Sequence, residues 1–261
     1  MKHLLRNTAR VYIVLALGFI YVPLLIMMLN AFNQSRINQF PLVFDLVWFQ
    51  KLAQNQRLIR ATVNSLSIAA FTSVLATICA TFAALVLARQ QFRGKAFLQA
   101  LLLPPMTIPW IILAVALLLT FFWLGISRSI VTLLLGHVTV QIPFAIIVIS
   151  ARLAATDRTL EDAAASLGSR PARTFRTITL PLMLPGVLAA LIFTFAVSFD
   201  NFPISYFLAP AGVSTLPVEI YTAIRTGFTP EVNAISTLVF IVSAACALVG
   251  GREISFGVRS A

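Results

Sequence analysis

The chain has 261 residues, of which 59% are hydrophobic and 10% charged, and its mean hydropathy is +0.95. A water-soluble domain carries about 25% charged residues, so a soluble fold of this composition would expose large sticky patches; that class is excluded in favour of a chain dissolved in a bilayer. The net charge of +11 is read as Lys and Arg gathered in loops against anionic lipid, not as a nucleic-acid footprint.

A helix crossing a hydrocarbon core of about 30 Å needs roughly 20 apolar residues. Six runs qualify: Val11–Leu29, Asn64–Ala88, Phe97–Leu119, Ile130–Ala151, Pro185–Phe207 and Asn233–Gly250. All are expected to be helical, because lipid offers an open backbone no partners. The first run follows a basic start and lacks a small-residue cleavage site, so it is expected to remain as a span. Between the first two runs, Phe49, Leu52 and Leu58 predict a helix lying along the membrane surface. Pro104, Pro105 and Pro109 crowd the start of the third run and predict an irregular entry, since each removes a backbone donor. Cys79 and Cys246 fall inside apolar runs and read as small buried hydrophobes, with neither a disulfide framework nor a metal set implied. His137, in the fourth run, reads as a packed, hydrogen-bonded residue, and Trp48, Trp110 and Trp123 as an interfacial belt. Six spans place both termini on one side. Of the 19 Lys and Arg, 13 fall on that side and 6 on the other, which makes it the cytoplasmic side.

The long loop between the fourth and fifth runs, residues 152–184, carries the most information. Thr159-Leu160-Glu161-Asp162 has the spacing of a helix cap, with Asp162 reaching back, and Ala163, Ala164 and Ala165 favour helix. Gly168 is the expected stop, Pro171 opens a second short helix, and Leu180-Pro181 is expected to end it before the fifth span. Arg170, Arg173 and Arg176 recur every three residues on that second helix and are read as facing lipid phosphates. The product is two short helices lying on the cytoplasmic face, able to dock in a cleft on another protein.

Asp200 stands about 15 residues, or about 22 Å, into the fifth run. A carboxylate within a span is costly and usually faces a pathway. Phe199, Phe202 and Tyr206 lie nearby and would suit cation–π contact with a positively charged solute. Glu219 and Glu231 read as solvated charges in the loop before the sixth run.

Asp162-Ala163-Ala164, then Gly168, then Ile178-x-Leu180-Pro181 resembles the E-A-A…G…I-x-L-P motif of binding-protein-dependent ABC permeases, with Asp162 in the place of the usual Glu and Glu161 just before it. Ser198-Phe199-Asp200-Asn201, together with Tyr221-x-x-Ile224-Arg225-x-Gly227 and Pro230-Glu231-Val232-Asn233-Ala234, is similar to the spermidine/putrescine importer permeases. The resemblance implies an all-α, MetI-like membrane fold in a single permease domain over residues 1–261. It also implies a partnership with a second, related permease, two cytoplasmic ATPase subunits and an extracytoplasmic solute-binding protein. Glu161, Asp162, Ala163, Ala164 and Gly168 would form the coupling helix, and Phe199, Asp200, Asn201, Phe202 and Tyr206 the substrate path. No G-x-x-x-x-G-K-[ST] run is present, so ATP and Mg are expected on the partner ATPases and no cofactor on this chain. Related permeases carry amino-acid-like compounds, metal complexes and phosphonates, so the solute stays open between polyamines and these. The rivals from other classes are an ion-coupled secondary transporter, which would show more intramembrane ionisable residues and repeat symmetry, and a channel or scaffold subunit, which would have no use for the loop pattern.

Overall fold

The computed structural model describes the backbone of residues 2–35, 42–227 and 229–259, and the side chains of residues 7–35, 42–227 and 229–245. Among these residues the regular elements are helices, apart from one isolated bridge between Asn33 and Phe44. In chain order they are α1 (Lys2–Ala31), α2 (Val47–Gln54), α3 (Gln56–Arg89), α4 (Lys95–Leu101), α5 (Pro104–Thr107), α6 (Trp110–Trp123), α7 (Ile130–Ala154), α8 (Thr159–Ser166), α9 (Pro171–Thr174), a π-turn (Phe175–Thr179), α10 (Leu180–Phe199), α11 (Phe202–Leu208), α12 (Leu216–Thr226) and α13 (Glu231–Arg259). They form two compact units, Met1–Ile59 with Ile220–Ala261, and Arg60–Glu219.

In the first unit, α1 and α2 both pack on α13. Helix α1 turns Tyr12, Phe19 and most of its other apolar side chains outward, as a helix dissolved in lipid does. The short helix expected before α3 forms as α2, but Trp48 on it is buried, not interfacial. Its indole N–H donates to the Asn33 carbonyl at 2.6 Å, and this bond at the base of α2 draws the ring inward; Lys51 lies over its face.

The second unit holds the rest. Two clusters form its core. One gathers Ala80, Ala84, Ala145, Ile146, Ile149, Leu153, Met183 and Ala190 from α3, α7 and α10. The other gathers Ile68, Ala114, Leu133, Val140, Ile204 and Leu208 from α3, α6, α7 and α11. Alanines at the crossings let backbones approach closely, which is how helices associate where no hydrophobic effect separates them from lipid. Gly136 of α7 serves the same end, since a Cβ there would collide with Leu208 of α11.

Proline chemistry shapes the third run. Ile108, ahead of Pro109, is extended at φ −75°, ψ 134°, the conformation a pre-proline residue favours. The chain therefore bends by 112° between residues 95–107 and 110–123, and the continuous span expected over Phe97–Leu119 is a broken one.

Four described helices are long and apolar enough to cross a membrane, or five when the bent pair is counted as one span. The sixth expected run, Asn233–Gly250, lies in α13, and the side chains of its last five residues fall outside the described set. Three expectations change. The fifth span is a continuous helical run Pro171–Phe199 and not Pro185–Phe207, because the π-turn Phe175–Thr179 leads straight into α10 and Pro181 stands in the first turn of α10 instead of ending a helix. Cys79 is exposed on the outward face of α3, so it meets lipid and not the core. Glu219 is buried within α12, not solvated. Replacing Gly136 by Val should overpack the α7–α11 crossing and cost about 1–3 kcal/mol, read as a lower Tm of the detergent-purified protein, with Gly136→Ala falling between the two.

Candidate functional site

The loop after α7 is built from local hydrogen bonds. Asp157 Oδ1 accepts the Thr159 N–H at 2.9 Å, so the cap comes from Asp157; the cap expected from Thr159 and Asp162 does not form, because Thr159 is already the first helical residue. The backbone bond from Thr159, then its hydroxyl, holds the Asp157 carboxyl below its ordinary value of 3.8. This cap is fully formed above that value and is lost as pH falls through the lowered one. At the other end, Gly168 takes φ +78°, its N–H donates to Ala165, and Ser169 N–H donates to Ala164. These are the paired bonds of a Schellman stop. Pro171 then occupies the first turn of α9.

The two acids of α8 have different jobs. Glu161 Oε1 accepts from Arg89 Nη2 at 3.0 Å and from Thr179 Oγ1 at 3.2 Å. Both side chains of the ion pair are 17% exposed, so water screens the pair only partly. Glu161 thus ties α8 to the last residue of α3 and to the π-turn that begins α10. Asp162 faces outward, within 3.7 Å only of the equally exposed Arg158, a contact worth little in water. Ala163 is exposed and Ala164 half-buried. Leu160 is 50% and Leu167 89% exposed, so this polar loop also presents two large apolar side chains.

The π-turn feeds straight into α10, with Leu180 N–H donating to the Phe175 carbonyl; such turns occur often at functional points of helices. Arg152, at the end of α7, donates from Nε to the Leu182 carbonyl at 3.1 Å.

At its far end α10 stops at Phe199 and the chain breaks. Asp200 is the C-cap and Asn201 caps α11, its Oδ1 accepting the Ile204 N–H at 3.0 Å. Asp200 therefore stands at a helix break and not inside a continuous span. Its carboxylate is exposed, with no hydrogen-bond or ion-pair partner among the described residues. Asn201 is buried and spent on the cap. Phe199 stacks with Phe195, Phe202 packs on Tyr206, and Tyr206 meets Phe207 edge-on.

Behind the break lies a buried polar ladder. Thr77 and Thr194 face each other at 3.5 Å, Thr72 and Ser198 at 3.0 Å. His137 reaches Ser198 and Ser205, and Gln141 donates to Thr72. Of these residues the sequence pointed to His137, as a packed histidine, and to Ser198, as part of the Ser198-Phe199-Asp200-Asn201 motif.

A bundle of apolar helices, one broken at an unpaired carboxylate and one tied to an exposed loop helix, defines a multi-pass membrane permease. Residues 76–252 match the family model of the binding-protein-dependent transport system inner membrane component, and the chain belongs to that family of MetI-like permeases. It is 36% identical to the spermidine/putrescine transport system permease protein PotC of Haemophilus influenzae, over 94% of each chain. It is 33% identical to the putrescine transport system permease protein PotI of Escherichia coli K12, over 88% of this chain and 84% of that one. In fold it is similar to a chain of a bacterial ABC transporter involved in the import of the acidic polysaccharide alginate, with TM-score 0.75, 15% identity and 96% of both chains covered.

Glu161→Ala should loosen α8 by about 1–3 kcal/mol, between the limits for exposed and buried ion pairs, and speed tryptic cleavage after Arg158; Asp162→Ala should leave that cleavage rate unchanged.

Proposed function

We propose that this inner-membrane permease carries polyamines, spermidine or putrescine, as one of two related permease subunits of an ATP-driven importer. The observation that carries the reading is the Asp200 carboxylate, exposed and without a partner among the described residues, at the break between α10 and α11, with Phe199, Phe202 and Tyr206 close to it in the chain. Two relatives with 33% identity or more over most of the chain are named for spermidine and putrescine transport, which supports the same solute. An ammonium group passing this point would meet one negative charge and several ring faces, each such face contributing about 0.5–2 kcal/mol. Asn201 would act one step back, by fixing the start of α11.

Both termini and the α8 loop lie on the cytoplasmic side in this reading, in line with the excess of Lys and Arg there. Asp162, Leu160 and Leu167 would enter a groove on a cytoplasmic ATPase, while Glu161 would pass the movement inward to α3 and α10. ATP and Mg act on two such ATPases, and an extracytoplasmic binding protein delivers the solute. The permease makes and breaks no covalent bond: closure of the ATPases draws the docked helices together, and the spans rock between inward-open and outward-open states.

Asp200→Ala in the assembled complex should lower uptake of radiolabelled spermidine and putrescine at least tenfold, about 1.4 kcal/mol, with copurification of the ATPases intact. Asp200→Glu should keep part of it. Wild-type rates in Asp200→Ala would sink the proposed path. Asp162→Ala should leave Asp200 chemistry untouched yet uncouple ATP hydrolysis from uptake, measured as ATPase activity no longer stimulated by the loaded binding protein.

A further inference from the structure

One imidazole spans the break between α10 and α11. His137 Nδ1 lies 2.9 Å from Ser198 Oγ, in the last turn of α10, and Nε2 lies 3.2 Å from Ser205 Oγ, in the first turn of α11. All three residues are buried, as are Thr72 and Gln141 beside them. Thr72 Oγ1 donates to its own helix at the Ile68 carbonyl, 2.7 Å, accepts from Gln141 Nε2 at 3.1 Å, and lies 3.0 Å from Ser198 Oγ.

Counting protons gives the chain a direction. The Thr72 hydroxyl has one hydrogen, and the Ile68 carbonyl takes it. Ser198 must then donate to Thr72 and so accepts from His137 Nδ1–H. That leaves His137 Nε2 as an acceptor for the Ser205 hydroxyl. Each hydroxyl hydrogen and the ring N–H is used once, and the ring is a neutral imidazole protonated at Nδ1. The chain runs from α11 through α7 and α10 to α3. It also leaves the buried Gln141 Oε1 without a partner. Hydrogen bonds between buried polar side chains are a usual glue between helices in a bilayer, so packing alone does not single this network out. Its position does, because it grips both sides of the break next to Asp200.

We propose that His137 is a positioning residue for transport: by holding Ser198 and Ser205 at once it sets the angle between α10 and α11, and so where Asp200 and the cap of Asn201 stand. It touches no solute itself. The transport consequence rests on the polyamine path proposed above; the geometric consequence does not.

The test uses the purified complex, with Cys79 and Cys246 replaced by alanine and spin labels on cysteines at Ile192 and Ala211, exposed positions on either side of the break. His137→Ala should shift or widen the label-to-label distance distribution. The Ser198→Ala, Ser205→Ala double variant should do the same without opening a ring-sized cavity. The triple variant should add nothing further, as expected for groups acting as one unit. His137→Gln, whose amide reaches the Ser205 end alone, should fall between. For spermidine the half-saturating concentration should rise about tenfold, the scale of one net hydrogen bond, with ATPase copurification kept. Unchanged distances in the double serine variant, or additive shifts in the triple, would overturn the proposal. Altered distances in a complex that carries no polyamine would leave the clip standing and remove the polyamine path instead.

Discussion

The carboxylate of Glu161 is where three distant stretches of the chain meet. It receives the guanidinium that ends α3 and the hydroxyl of Thr179 in the π-turn, so α8 cannot move without pulling on both. The pair lies in a partly water-excluded place, where an ion pair resists screening yet keeps enough hydration to escape the full desolvation penalty. Helices α3 and α10 are also the two that carry Thr72, Thr77, Thr194 and Ser198. The helices that Glu161 holds at the loop are thus the ones joined by hydroxyl pairs near the break at Asp200.

Parts of this design were legible in residue order because their causes are local. Gly168 ends α8 through bonds spanning five residues, and a positive φ there selects glycine. Pro104, Pro105 and Pro109 announced an irregular third span, although the bend of 112° depends on where α6 packs. The cap of α8 was misassigned because Asp157 and Thr159 both carry capping oxygens two residues apart, and only the backbone dihedrals decide between them.

The expected fifth span runs past Phe199 for a different reason. Hydropathy continues from α10 into Phe202–Leu208 and passes over a single charged residue. The break was written in the sequence nonetheless: Asn201 as a cap with Pro203 in the turn that follows is a helix start. The distinction between Glu161 and Asp162 had no local trace, since Arg89 lies 72 positions away. The His137 contacts span 61 and 68 positions, and serines in apolar helices look alike in sequence whether or not they meet a partner.

Leu167, 89% exposed beside Gly168, has one more consequence. In the importer proposed above, the ATPase groove would cover this side chain. A copy of this subunit made in excess of its docking partner displays an apolar handle of the sort that holdases and degradative proteases grip. If the loop docks as proposed, the same side chain would tie the survival of each newly made chain to its finding a seat, and subunit numbers would be matched by disposal rather than by balanced synthesis.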